Sequence, residues 1–258
     1  MNPVVKRTIT ALSVAAFVVC SLIYLPVKAV LPVMVLLVML VQLEFVQLLS
    51  RKYETMPAVG LFSALVYMVG AVYFSGVPTG RFLIPIIFVM ALFALFGKSA
   101  NPMQKFATTL LGFVYIPVML SYFLLIPQSY GMKILLYIIA IVKVSDMGGF
   151  AFGKAFGKHK MCPAISPKKS WEGFAGSVFA SCLVSCAFMP ITSFCWCKAI
   201  AFGIAAATVG TLGDLIESRF KREVCVKDSA TFMPAGMGGF LDMFDSLVFA
   251  PAIFYYFI

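Results

Sequence analysis

The chain has 258 residues, of which 62% are apolar and 12% charged, and its formal net charge is +10. Soluble domains average about 45–50% apolar and about 25% charged residues, and so few charges cannot cover the surface of a soluble domain of this size. The composition excludes an ordinary cytosolic enzyme, a disordered chain and a disulfide-stapled secreted module, and leaves an all-α, polytopic integral membrane protein.

A membrane-spanning helix needs about 20 mostly apolar residues. In chain order, nine candidates cover roughly 9–26, 29–49, 57–76, 82–97, 106–126, 132–152, 171–193, 198–216 and 240–258. Polar or glycine/proline breaks separate them, such as Arg51-Lys52-Tyr53-Glu54, the stretch from Gly97 to Pro102, and Pro127-Gln128-Ser129. The first candidate follows Lys6-Arg7 in the manner of a signal peptide, but eight further spans behind it favour a retained helix. Seven cysteines lie mostly within apolar runs and read as small hydrophobic residues, and none has metal-ligand spacing to His159, the single histidine.

Lysine and arginine set the orientation. Fifteen of the twenty fall on the N-terminus and the even-numbered loops, four (Lys28, Arg81, Lys133 and Lys198) on the odd loops, and Lys143 within a span. The N-terminus and even loops are therefore expected in the cytoplasm and the C-terminus outside. Topology accounts for the positive charge, so no nucleic-acid partner is needed.

The chain divides in two. Residues 1–140 have short loops and two acids, Glu44 and Glu54, and read as a transmembrane scaffold. Residues 141–258 hold the other eight acids and two long cytoplasmic loops, 153–170 and 217–239, and read as the working half.

Ionisable groups near a membrane core are costly and mark function or pair with one another. Asp146 lies late in the sixth span, Asp214 at the end of the eighth, and Asp242 and Asp245 at the start of the ninth. Four carboxylates from three spans thus reach the cytoplasmic edge at similar depth. Asp242 and Asp245 share a helix face, as do Asp214, Ser218 and Lys221 if that helix continues. Clustered carboxylates without histidine or cysteine suit a hard cation, above all Mg²⁺ holding substrate phosphates. A cation path in a transporter, or structural pairing with Lys143, Arg219 or Lys227, would use the same residues.

The long loops add cations. Gly148 to Lys154 fits the outline of a phosphate-binding P-loop, but Ala155 replaces the hydroxyl residue and the stretch crosses a span end, which excludes that motif. In Ser166-Pro167-Lys168-Lys169-Ser170-Trp171-Glu172-Gly173, Ser170 is the expected N-cap of the seventh span. Two lysines before a helix N-terminus make a seat for a polyanion. A positive anchor at the membrane would read the same way. From Gly213 to Ser246, carboxylates alternate with Arg219, Lys221, Arg222 and Lys227, as a metal–polyphosphate complex requires.

At these residues the sequence resembles the CDP-diacylglycerol synthase (phosphatidate cytidylyltransferase) family. The family's C-terminal signature is matched by Ser218, Lys221-Arg222, Lys227-Asp228-Ser229, Gly238-Gly239, Leu241-Asp242 and Asp245-Ser246. Gly213-Asp214-Leu215, Ser166 to Gly173, and Asp146 to Lys158 match further family motifs, with Ser170 in place of threonine and Ala230 in place of glycine. The resemblance covers about 140 to 250, and residues 1–140 match in hydropathy alone. It implies the reaction of CTP with phosphatidate to give CDP-diacylglycerol and pyrophosphate, in the cell (inner) membrane of a bacterium, with the site on the cytoplasmic face. It implies a metal pair held mainly by Asp214 and Asp242, Mg²⁺ with a second ion that is either Mg²⁺ or monovalent. Asp245 and Asp146 are added as outer ligands or orienters. Ser166, Lys168, Lys169, Ser218, Lys221, Arg222 and Lys227 are expected to hold the phosphates, and Asp228 to orient a lysine or a metal-bound water. A homodimer is compatible with the resemblance. A CTP-dependent polyprenol or lipid kinase is the nearest alternative enzyme, and a cation-coupled transporter the alternative from another class.

Overall fold

The computed structural model describes residues 24, 26–74, 80–226 and 239–258. Nearly all of the first candidate span, and Lys227, Asp228 and the glycine-rich stretch to 238, lie outside the described residues.

Helices follow the apolar segments. They are α1 (Val27–Leu49), α2 (Pro57–Tyr73), α3 (Gly80–Phe96), α4 (Pro102–Phe113), a π-helical turn (Val114–Val118), α5 (Tyr122–Ser129) and α6 (Met132–Phe156). After them come strands β1 (Lys160–Cys162) and β2 (Ser166–Ser170), then α7 (Trp171–Ala187), α8 (Met189–Thr192), α9 (Trp196–Glu223), α10 (Phe240–Phe244), a 3-10 turn (Asp245–Leu247) and α11 (Ala250–Phe257). Among the described residues, five stretches are long and apolar enough to cross a membrane: Val27–Leu49, Pro102–Ser129, Met132–Phe156, Trp196–Glu223 and Phe240–Phe257. Three shorter apolar helices, α2, α3 and α7, have 17 residues each. At about 1.5 Å per residue such a helix rises about 25 Å. Phe62, Phe88 and Phe179 stand exposed on these helices, as side chains facing lipid do. The chain is a nearly all-helical integral membrane protein.

Three local features depart from the sequence reading. The loop over 153–170 contains an antiparallel hairpin, with Lys160 opposite Ser170 and Cys162 opposite Ser166. Pairing satisfies backbone groups that have few other partners beside a membrane. The segment expected as one span over 106–126 is interrupted at the π-helical turn, where Pro117 supplies no N–H to the helix ladder. The last segment is likewise broken, into α10, the 3-10 turn and α11.

Close backbone approach joins the helices that carry the site. A Cβ added at Gly148 of α6 would stand 2.5 Å from the Ala180 Cβ and 2.7 Å from the Gly176 carbonyl oxygen of α7. Forcing a side chain into such packing costs about 1–3 kcal/mol or more. Helix α7 is tied to α9 by hydroxyls: Ser181 donates to Gly203 O at 2.8 Å and Ser185 to Ala199 O at 2.6 Å. Hydroxyl-to-carbonyl bonds of this kind hold helices together where apolar burial cannot, because lipid is as apolar as a leucine side chain.

One hydrophobic core draws on both halves of the chain, from Val38, Val41 and Phe45 of α1 to Ile138, Ile141, Phe202, Leu247 and Val248. At its centre Tyr115 packs against Phe45, Phe220 and Phe249, with ring centroids 5.0, 5.3 and 5.6 Å apart. That cluster joins α1, the π-helical turn, α9 and the entry to α11.

Candidate active site

A cavity of about 630 Å³ opens between α6, the hairpin, α7, α9 and α10 with its 3-10 turn. Asp146, Asp214, Asp242 and Asp245 all line it, and so do Ser166, Lys168 and Lys169. Residues far apart in sequence thus meet in one place, carboxylates facing lysines.

Helix α9 supplies the central acid. It continues to Glu223, so Asp214, Ser218 and Lys221 do lie on one helix, and Ser218 Oγ donates to Asp214 Oδ1 at 3.3 Å. Glycine at 213 lets the 3-10 turn sit against α9: a Cβ there would meet the Asp245 carbonyl oxygen at 2.5 Å. This contact brings Asp245 beside Asp214. The Asp245 Oδ1 accepts the Ser246 N–H at 2.5 Å. Ser246 Oγ donates to Asp146 Oδ2 at 2.7 Å, and Lys143 Nζ donates to Met243 O at 2.9 Å and to Ser246 Oγ at 3.1 Å. The intramembrane lysine therefore ties α6 to the broken last segment.

The hairpin delivers the second set of charges. Ser170 accepts the Gly173 N–H at 3.2 Å and caps α7, as expected. Strand alternation turns Lys169 inward, where its Nζ pairs with Asp214 Oδ2 at 2.8 Å and donates to Thr211 O at 2.9 Å. Lys168 is exposed at the rim. Below the rim, Glu172 accepts the backbone N–H groups of Lys158 and His159 and bonds the His159 ring at 2.6 Å, which pins the turn before the hairpin. His159 is a support of this turn and does not line the cavity.

Asp242 is held at both oxygens, by Lys221 Nζ at 2.9 Å and by the Gly239 N–H at 2.7 Å. Lys221 also pairs with Glu217 Oε2 at 2.5 Å. Arg222 points elsewhere: it is exposed, donates to Val226 O at 3.4 Å and does not line the cavity. Lys227 and Asp228 lie outside the described residues.

Glu217 was not singled out in the sequence, yet among the described residues one oxygen each from Asp214, Glu217 and Asp245 lie within 4.8 Å of one another. The signal was present, since Glu217 stands one helical turn after Asp214, but hydropathy ends the eighth span at 216. Glutamate, arginine and lysine form helices well, so α9 runs on past the apolar stretch. The donors are all hard oxygens. Ligands of one octahedral Mg²⁺, at about 2.1 Å each, stand about 3.0 Å apart when adjacent and about 4.2 Å when opposite, so the trio must draw closer to share an ion. Lys169 and Lys221 already pair with Asp214 and Glu217, and a divalent cation among the three carboxylates would offset the repulsion that is left. The residues fit a divalent metal.

The cytidylyltransferase family model matches residues 5–258, nearly the whole chain. This chain belongs to the cytidylyltransferase family. A protein called phosphatidate cytidylyltransferase from Staphylococcus epidermidis is 33% identical over 256 residues, covering 94% of each chain. One of the same name from Staphylococcus aureus is 37% identical over 169 residues, and that match spans 65% of this chain and 64% of the relative's length.

Proposed function

We propose that this chain is a phosphatidate cytidylyltransferase, converting CTP and phosphatidate to CDP-diacylglycerol and pyrophosphate. The observation that carries the reading is the convergence, in one cavity, of Asp214 and Asp245 with Lys168 and Lys169. Family membership and the names of the relatives support it. An oxygen of the phosphatidate phosphate attacks the α-phosphorus of CTP, the α–β bridging P–O bond breaks, and pyrophosphate leaves with the bond's electrons. The nucleophile is already ionised at neutral pH, so no general base is required, which suits a cavity without histidine. The task is to hold two anions together and to offset charge at the phosphorus and the leaving group. Lys168 and Lys169, with Ser166 at the start of β2, take phosphate oxygens. Lys221, which holds Asp242, and Ser218, which donates to Asp214, belong to the proposed site together with Lys227 and Asp228, while Arg222 stands outside the cavity. Asp214, Asp242, Asp245 and Asp146 are the proposed metal set, with Glu217 added to it. Mg²⁺, bound there with or without a monovalent companion, supplies charge neutralisation on the phosphates.

A label test separates this reaction from the nearest alternative. With CTP labelled at the α-phosphorus, detergent-solubilised protein and phosphatidate should yield labelled lipid and release pyrophosphate. A lipid kinase would leave that label in CDP and pass the γ-phosphate to a lipid alcohol. Label retained in CDP would overturn the assignment.

The proposed topology is nine crossings with the N-terminus and the cavity on the cytoplasmic side, and with 1–140 as scaffold to the catalytic half 141–258. The 15:4 division of cations supports it. A reporter fused after Ile258 should read as external, and a tag within 227–238 as cytoplasmic. A cytoplasmic C-terminus would change the number of crossings by one.

A further inference from the structure

Helix α10 has five residues, too few to be stable by its own hydrogen bonds, and its first N–H groups have no acceptor within the helix. It nevertheless carries Asp242 and leads directly into Asp245. Its position must be set from outside. One such restraint comes from the opposite half of the chain: the buried Leu241 N–H donates to Glu44 Oε2 of α1 at 2.9 Å. Both residues have 0% exposure, and Glu44 stands among the core residues Val41, Phe45 and Leu48. A carboxylate at such depth in an apolar helix is costly, and a helix serving only as scaffold has no need of one.

We infer that Glu44 is a positioning residue for the site. Its carboxylate holds the backbone immediately before Asp242 and so sets where Asp242 and Asp245 stand relative to Asp214. Glu44 does not line the cavity and reaches the site through the backbone at Leu241. The inference rests on the proposed function in one respect, that these acids belong to the reacting site.

Three variants test it, Glu44→Leu, Glu44→Asp and Glu44→Gln, each read by kcat, by KM for CTP, and by backbone hydrogen exchange over residues 239–247 in detergent without substrate. Glu44→Leu removes the acceptor, and kcat should fall by about tenfold or more while KM for CTP moves by less than about threefold, the pattern of misplaced reacting groups. Exchange at Leu241 should accelerate while α9 stays protected, whereas general loosening would accelerate both. Glu44→Asp keeps the charge but stops one methylene short, and should change kcat and exchange in the same direction if Glu44→Leu fails to fold. Glu44→Gln restores an acceptor oxygen at the original reach and should recover most of kcat and the protection. Wild-type kcat and exchange in folded Glu44→Leu or Glu44→Asp would overturn the inference, as would a Glu44→Gln variant as impaired as Glu44→Leu. Inactive Asp214→Asn beside unimpaired Glu44 variants would defeat this inference alone. Active Asp214→Asn would instead defeat the reading of the site, and exchange at Leu241 would still decide the anchoring.

Discussion

Asp214→Asn should lower turnover at least about a hundredfold, the scale of a lost electrostatic contact worth about 3 kcal/mol at a reacting centre. The substitution keeps size and removes one charge from a residue that meets three others: it lies beside Glu217 and Asp245, and it pairs with Lys169. Asp242→Asn should do the same by a different route. Asp242 binds Lys221 through one oxygen and the Gly239 N–H through the other, so the neutral amide leaves Lys221 to Glu217 and loosens the start of α10. Both variants should be recovered from membranes in near-normal yield, because each keeps the side-chain volume and neither opens a void. Activity is measured as CTP-dependent formation of labelled lipid over a range of Mg²⁺ concentrations. Near-normal turnover in both would sink the metal assignment.

The second large effect is expected at Lys169. A membrane anchor and a phosphate seat both ask for positive charge there, so a change that preserves charge separates them. Lys169 Nζ fits between Asp214 Oδ2 and Thr211 O, 2.8 and 2.9 Å away, on a largely buried side chain. A compact ammonium suits that gap, and a planar guanidinium does not. Lys169→Arg should therefore leave yield and orientation unchanged and lower kcat/KM by about tenfold, with a raised KM for CTP or phosphatidate. Lys169→Ala should cost about a hundredfold, the upper range for a charge-assisted hydrogen bond of about 1.5–3 kcal/mol. The remaining cytoplasmic lysines still hold the orientation in both variants. Unchanged kinetics in both would return Ser166 to Gly173 to the role of an anchor.

The course of the chain through helices was legible from hydropathy because each apolar stretch is decided locally, by its own residues and the lipid around them. The same holds for the cap at Ser170, where a hydroxyl needs only the N–H three residues on. The expense of Asp146, Asp214, Asp242 and Asp245 was legible too, since a carboxylate next to a membrane core must have a reason to be there. The family motifs lie in the sequence as contiguous strings, so the class of chemistry was visible before any contact was.

Other features depend on contacts between distant residues. The pairing of Lys169 with Asp214 needs the hairpin over 160–170, and the placing of Asp245 beside Asp214 needs a glycine at 213 for the turn to rest on α9. Glu217 enters the acidic trio only because α9 continues past its apolar stretch, and Arg222 leaves the cavity because the same helix turns it outward. The bond from Leu241 to Glu44 joins residues 197 positions apart. By itself the sequence determined that this is a helical membrane protein with its acids and lysines at one edge, because burial and charge cost are properties of single residues and short stretches. Which acid meets which lysine, and which half of the chain holds the other in place, was decided only by the tertiary structure, because hydrogen bonds and ion pairs act over about 3 Å and require packed helices to bring their partners within reach.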